Sequence, residues 1–562
     1  MSDVDGGALI GRILKEQNVK YVFAVNGGHT FPILANLRDN GIKLIHMRHE
    51  QATAYAADAY ARVTGTPGIC CVTAGCGLTN AVTGLCGAGL TNSAVICLAG
   101  QHPTTEDFIG SFQEAYGTDV VDSFSKYAKR VLDWSTIEVD LRQAFRAATS
   151  APQGVALYEI PTNILYHSDA PEKQRPGAKV YGADDLRSQG DPRKIERAVE
   201  LLLGAERPLI AGGDGIFWSD AAAELRELAE LTHTPVYCRR AGQGAMDEAN
   251  PLAIRGAWKK PFTGQADVVL AVGFRFWSGE KFGQPPTWTD KATYIQVDTD
   301  PERVGWHVPA EVGIVGDPKL VLRQIIDTIR EVKADFSGRA GSPWLQQMAE
   351  VRGNYEKMIA DREAETHADT PIHPDRLTKD LVSVIDDDAT LVVDSFTLSG
   401  YTSQWFTAHT MGQIVDAGPL APVGHGVGMG IGAALGRPGK QVVVVSGDGG
   451  IGIGGMDMET AAKYDIPIVT LLWNNSSWGP DFAAMPILKG RTDPFDMVPD
   501  IRYDKVFEPM GVYTEHVAEP DEIIPALERA LGSGRPAVVN VASDKRYGHP
   551  SLGGNLLGST QL

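Results

Sequence analysis

Short runs of apolar, often β-branched residues recur along the chain, with longer segments of helical periodicity between them. Residues 22–25, 42–46, 69–73, 95–98 and 155–160 predict five strands in the first third. Residues 209–211, 268–272 and 294–297 predict three in the middle, and 391–393, 441–445, 466–473 and 537–541 predict four toward the C-terminus. Apolar strands alternating with helices are the mark of parallel sheets covered on both faces. The expected fold class is therefore α/β, with three doubly wound parallel-sheet domains at about 1–167, 193–333 and 374–545. Polar stretches at 167–192 and 334–373 read as connectors. The tail, 546–562, is polar and glycine-containing and reads as a lid. In the first segment Ala52, Tyr55, Ala56, Ala59, Tyr60 and Val63 fall at i, i+3, i+4, i+7, i+8 and i+11, which predicts a buried stripe on a helix over Glu50–Thr64. A weak echo links residues 151–157 to 534–539: each carries a proline and follows a helix into a last strand.

Composition narrows the partners. A chain of 562 residues is too long for one core, and 43% apolar with 22% charged residues is ordinary for a globular protein. A formal charge of −19 argues against nucleic acid or an anionic membrane as partner, though it leaves room for a local basic pocket. The first residues lack the basic and apolar regions of a signal peptide, and no run of about eighteen apolar residues occurs. Cys70, Cys71, Cys76, Cys86 and Cys97 crowd one stretch without zinc-site spacing, as expected of buried reduced thiols in a cytoplasmic protein.

The candidate chemistry lies between Gly447 and Asn475. One apolar strand runs into Ser446-Gly447-Asp448-Gly449-Gly450, and the next ends at Asn474-Asn475. In a parallel strand–helix–strand unit the two carboxyl ends lie side by side. Mg2+ takes about six oxygens and shares them between protein and phosphate. Asp448 offers a charged oxygen, Asn475 an amide oxygen, and the carbonyl of Ser477 a third. The glycines let the backbone approach a diphosphate closely.

This arrangement resembles the thiamine-diphosphate signature, Gly-Asp-Gly followed by Asn-Asn, and Met456-Asp457-Met458-Glu459-Thr460-Ala461 resembles its middle in acetolactate synthases. Other segments are similar to the same superfamily, which includes benzaldehyde lyase and the 2-hydroxyacyl-CoA lyases. Arg48-His49-Glu50-Gln51-Ala52 resembles the run with the glutamate that activates the aminopyrimidine, although an isolated Glu in a first helical turn ordinarily serves only the helix dipole. Thr73-Ala74-Gly75-Cys76-Gly77, with Asn80 following, looks like a cofactor-binding loop, with Cys76 where proline is frequent. Gly100-Gln101 and Phe112-Gln113-Glu114 resemble a pair whose second glutamine points at the reacting carbon. Asn26-Gly27-Gly28-His29 is similar to the benzaldehyde lyase turn whose histidine moves protons. Gly424 to Gly432 resembles the segment that bends the cofactor, with Val427 as the wedge where methionine is usual, and His425 is a second acid–base candidate.

The resemblance implies pyrimidine-binding, central and diphosphate-binding domains in that order, with the outer two sharing a fold. It implies thiamine diphosphate and Mg2+, an ylid that adds to a carbonyl and stores a carbanion as an enamine, and sites shared between subunits of at least a homodimer, with a homotetramer expected. Asn474-Asn475-Ser476-Ser477-Trp478-Gly479 is similar to benzaldehyde lyase, so the expected function is a lyase or carboligase for 2-keto acids or 2-hydroxy ketones. A 2-hydroxyacyl-CoA lyase is the alternative, and a non-catalytic nucleotide-binding relative a remote one. Lys259 and Lys260 could meet a CoA phosphate but read more simply as a solvated pair. Ala211-Gly212-Gly213-Asp214-Gly215 suits any phosphate, so FAD, ADP and no nucleotide all stay open for the central domain.

Overall fold

The computed structural model describes residues 3–180, 186–480 and 486–550; most of the tail read as a lid, 551–562, lies outside them. Three six-stranded sheets succeed one another, and every strand pairing in them is parallel. The first contains Tyr21–Ala24, Lys43–His46, Gly68–Val72, Val95–Gln101, Ser125–Arg130 and Val155–Pro161. The second contains Pro208–Gly212, Val236–Cys238, Ala253–Ile254, Val268–Val272, Thr293–Asp298 and Val312–Val315. The third contains Thr390–Asp394, Ile414–Asp416, Val442–Gly447, Ile468–Asn474, Tyr513–Val517 and Ala537–Ala542.

With the strands of each sheet numbered along the chain, the first and third sheets share the order 2-1-3-4-6-5, and the second runs 3-2-1-4-5-6. The outer domains therefore repeat one topology. The echo between 151–157 and 534–539 leads, in each case, into the sixth strand. The connector expected at 334–373 instead contains a helix, Pro343–Thr366, whose first turns pack Trp344 and Met348, with Leu345, Val351 and Tyr355 beside them, into the core of the second domain. Among the expected buried thiols, Cys70, Cys71 and Cys97 are buried, Cys86 is half-buried and Cys76 is exposed; all are free.

The outer domains meet through equivalent helices. Glu50–Thr64 and Gly426–Gly436 each follow the second strand of their sheet, and they pack side by side in parallel. A Cβ on Gly428 would stand 3.2 Å from the Ala52 Cα, one on Gly432 2.1 Å from the Ala56 carbonyl oxygen, and one on Gly436 2.4 Å from the Val63 side chain. Only glycine allows two backbones this close. Helix Glu50–Thr64 is consequently buried on nearly all sides rather than along one stripe, and one apolar core runs from Phe23 and Tyr55 through Val427 to Val444.

Candidate active site

Strands Val442–Gly447 and Ile468–Asn474 are register neighbours, Gly447 opposite Trp473, so the turns that follow them emerge side by side. Asp448 opens the helix Asp448–Gly454. Its Oδ1 accepts the Gly449 N–H at 2.9 Å and its Oδ2 the Ser477 N–H at 3.3 Å. The amide oxygen of Asn475 accepts the same Ser477 N–H at 3.2 Å. A carboxylate and a carboxamide oxygen thus converge on one point. Burial pushes the Asp448 carboxyl up to about 6 despite these N–H donors; a buried acid in that condition gains most from a cation. The Ser477 carbonyl accepts the Gly479 N–H at 2.9 Å. Trp478 lies on Gly449, where a Cβ would stand 2.8 Å from its ring, whereas nothing lies within 3.8 Å of a Cβ on Gly447. Ser476 takes a left-handed φ of 53° to turn the chain here.

Asp394, which no motif marked, organises the glycine-rich turn. Its carboxylate accepts the N–H groups of Gly424 at 2.9 Å and Gly426 at 3.0 Å and the Ser446 hydroxyl at 3.3 Å. It also pairs with His425 Nδ1 at 3.0 Å. His425 is buried, with the Pro422 and Val393 carbonyls 2.7 and 3.0 Å from its two ring nitrogens. Burial opposes its protonation, but Asp394 and the two carbonyls outweigh that and raise its pKa. The geometry makes His425 a pin for the turn, with neither nitrogen open to a substrate. Val427 heads the following helix and is 2% exposed.

The first domain carries the second cluster. Glu50 is buried at the first position of its helix, and Asn80 Nδ2 donates to its Oε2 at 3.0 Å. Given the parallel helix pairing, Glu50 lies at the end that faces the Gly424–Val427 turn. Across the sheet, His29 Nδ1 lies 3.1 Å from the Thr73 hydroxyl. Phe112 stacks on His29, with ring centroids 6.2 Å apart. Gln113, at a left-handed φ of 58°, donates from Nε2 to the Cys76 sulfur at 3.2 Å. His29, Thr73, Phe112 and Gln113 line an open cleft of about 730 Å3 with Asn26, Pro103, Asn163 and Tyr166. Burial and the nearby His102 lower the His29 pKa, which keeps its imidazole neutral near pH 7. Gln101, by contrast, is fully buried: it donates to Glu159 at 2.9 Å and accepts the His102 N–H at 2.9 Å. Glu114 accepts from the backbone of Phe108, Gly110 and Ser111 and from the Tyr116 hydroxyl, and so shapes the loop that carries Phe112 and Gln113.

Three family models match in succession: the thiamine pyrophosphate enzyme N-terminal TPP binding domain over residues 4–122, the central domain over 195–325 and the C-terminal TPP binding domain over 397–541. The acetolactate synthase large subunit IlvG of Mycobacterium tuberculosis is 33% identical over 551 residues, 97% of this chain and 96% of that protein. The 2-hydroxyacyl-CoA lyase of Oryza sativa subsp. japonica is 30% identical over 572 residues, 98% and 97% of the two chains. This chain belongs to the thiamine pyrophosphate enzymes. It is accordingly an enzyme that uses thiamine diphosphate to make or break a C–C bond, and the non-catalytic alternative has no support.

The residues present fit that cofactor. Asp448 and Asn475 present a carboxylate and an amide oxygen to one point, Gly447 leaves open space for a close approach, and Glu50 has Oε2 engaged by Asn80 with no partner on Oε1 among the described residues. Among those residues, no group of three or more His, Cys, Asp or Glu side chains could hold a metal; a cation here would need the amide and carbonyl oxygens. No described helix is long and apolar enough to cross a membrane.

The central sheet of this thiamine pyrophosphate enzyme has its own cleft, where the strand order reverses between Pro208–Gly212 and Val268–Val272. A Cβ on Gly213 would lie 2.2 Å from the Gly273 carbonyl oxygen. Asp214 is buried there, paired with Arg240 at 3.2 Å and Arg275 at 2.5 Å. Arg275, Asp298 and Arg303 also line the cleft. Lys259, read from sequence as half of a solvated pair, is buried instead: it forms an ion pair with Glu280 and donates to the Tyr237 hydroxyl at 2.9 Å. It is not available to a CoA phosphate.

Proposed function

We propose that the chain is a magnesium-dependent C–C lyase or carboligase acting on 2-keto acids or 2-hydroxy ketones. The convergence of Asp448 and Asn475 on the Ser477 N–H carries this reading. When bound, thiamine diphosphate supplies a nucleophilic carbon that adds to a carbonyl and retains the electron pair of the cleaved bond. Asp448, Asn475 and the Ser477 carbonyl would hold Mg2+, and the backbone at Gly447, Gly449 and Gly450 would receive the diphosphate. Thr73, Asn80 and Val427 would line the rest of the cofactor. Glu50 would share a proton with the pyrimidine through Oε1, while Asn80 fixes its other oxygen. His29, neutral and hydrogen-bonded to Thr73, would take and return the substrate hydroxyl proton, and Gln113 would donate to a developing oxyanion.

The relatives named 2-hydroxyacyl-CoA lyase support a second reading, release of formyl-CoA from a 2-hydroxyacyl-CoA. Exposed apolar residues flank both clusters: Phe108, Ile109 and Phe112 beside the cleft, and Ile453, Met456 and Trp478 beside Asp448. Paired patches of this kind support a homodimer at minimum and a homotetramer as the complete assembly. The free thiols support a reducing, cytoplasmic setting, and the central cleft, at a switch point, supports a bound FAD or ADP. Flavin absorbance of the purified protein tests the last point.

Product analysis with added thiamine diphosphate and Mg2+ tests the reaction. Pyruvate, benzoin and a 2-hydroxyacyl-CoA would yield carbon dioxide, free aldehyde and formyl-CoA respectively, and these are distinguishable. Undiminished turnover in Glu50→Gln would overturn the mechanism.

A further inference from the structure

We propose that His102, which no motif marked, is a positioning residue for the reaction: it donates from both ring nitrogens and joins the strand end behind His29 to the loop that presents Phe112 and Gln113. The inference rests on the proposed roles of His29 and Gln113 and adds what holds them. His102 is fully buried and directly follows strand Val95–Gln101. Its Nδ1 lies 2.5 Å from Gln101 Oε1, and its Nε2 lies 2.8 Å from Asp107 Oδ1. Neither partner can donate in return. Gln101 Oε1 already accepts the His102 backbone N–H at 2.9 Å, while Gln101 Nε2 donates to the Ala115 carbonyl and, at 2.9 Å, to Glu159 Oε1. Those contacts fix which end of the amide is oxygen. Protonation of Glu159, which burial pushes up to about 7, still leaves the Ala115 carbonyl and the His102 N–H to hold it. Arg130 donates to both oxygens of Asp107, at 2.6 and 2.9 Å, and holds that carboxyl below its usual range.

A ring with an acceptor at each nitrogen carries a hydrogen on each, so His102 is a buried imidazolium. Glu114 Oε1 stands 3.9 Å from its Nε2, and the Tyr116 ring lies perpendicular to it with centroids 5.7 Å apart. Asp107 and Glu114 thus face the cation from the loop, and Asp107 also pairs with Arg130 from the neighbouring strand. One consequence is mechanical. His102 and Arg130 pin Asp107 at the start of the loop, and Glu114 closes it by accepting the N–H groups of Phe108, Gly110 and Ser111. Gln113, the residue before Glu114, is presented from a loop held at both ends. The other consequence is electrostatic. His29 packs against Gly100, where a Cβ would stand 2.4 Å from the His29 Cβ. Burial and the charge on His102 lower the His29 pKa, so its imidazole meets a substrate hydroxyl as a base.

The test reads His29 directly, in the full-length protein without cofactor. Diethyl pyrocarbonate acylates the neutral imidazole, so its rate at His29, followed by peptide mass spectrometry against pH, gives the midpoint at which that ring loses its proton. His102→Gln removes the charge and keeps one donor for Asp107. It should move the midpoint up by about half a pH unit with an unchanged circular dichroism spectrum. A folded variant with an unmoved midpoint would overturn the inference. A second readout needs no variant: 15N-histidine spectra of the wild type near pH 7 should show His102 protonated on both ring nitrogens, and one bare nitrogen there would overturn the inference as well. Neither readout uses turnover, so they fail or hold separately from the product analysis that tests the proposed function.

Discussion

The carboxylate of Asp457 accepts the backbone N–H of Arg48 at 2.8 Å, tying the third domain to the segment that leads into Glu50. The tie is reinforced on both sides. Thr460 donates to the His46 carbonyl at 3.0 Å, the His46 N–H donates to the Tyr464 hydroxyl at 3.0 Å, and Glu459 lies 3.7 Å from the Arg48 guanidinium. The segment Asp457–Tyr464, which follows the Asp448 site, therefore grips His46 and Arg48 just before the candidate activating glutamate. Placement of Glu50 relative to the third domain is built into one chain.

Removing that acceptor should be costly. Asp457→Ala leaves the Arg48 N–H without a partner at a buried contact, a loss of about 1–3 kcal/mol, and a fall of several degrees in Tm by calorimetry is expected. Asp457→Asn keeps an oxygen for the N–H and should recover most of it. Equal Tm values for wild type and Asp457→Ala would show that the tie contributes nothing.

The helix pair should be equally sensitive to volume. Gly432→Val drives a side chain into the Ala56 carbonyl, where even a Cβ would stand 2.1 Å away. Overpacking of this kind costs about 1–3 kcal/mol. Thermal unfolding should show the loss, while Gly439→Val, at a position with open space around it but a left-handed φ of 80°, should show only the strain of that conformation.

Stability should depend on pH through Glu159. This carboxyl is 1% exposed, one of its oxygens has no partner, and burial pushes it up to about 7. The folded pKa lies above the unfolded one, so the group's contribution is fully present below about pH 4 and is lost as pH rises toward about 7. Relative to Glu159→Gln, the wild type should therefore lose up to about 1.4 kcal/mol per pH unit in that window. Denaturant unfolding of both proteins at pH 5, 6, 7 and 8 measures it; parallel curves would contradict the assignment.

Magnesium binding should carry the opposite slope. A metal must displace the proton from Asp448, whose carboxyl is pushed up to about 6. Calorimetric titration of Mg2+ in the presence of thiamine diphosphate should show affinity rising about tenfold per pH unit below about 6 and levelling above about 7. Asp448→Asn should remove the slope and weaken binding at least tenfold.

Central strands such as Val442–Gly447 and Ile468–Asn474 were legible because both faces are buried and the run is continuously apolar. Ser125–Arg130 and Tyr513–Val517 were not, because each lies at a sheet edge and is only partly buried. Ala253–Ile254 and Ile414–Asp416 are too short to leave a pattern. Asp448, Asn475 and Glu50 could be read as candidates because the turn that presents each follows directly from its own strand. Asp394 could not, since its role lies in receiving N–H groups from a turn thirty residues further on.

The chain's local order thus determined a good deal by itself. Apolar runs separated by helices specify parallel sheets, and glycine-rich turns at strand ends specify where a diphosphate and a cation could be received. Tertiary structure alone decided the rest. It laid the Glu50 helix against the Gly426 helix, sealed His425 between two carbonyls, and paired Lys259 with Glu280. Access and charge state depend on which distant segments exclude water from a group, and no spacing along the chain encodes that.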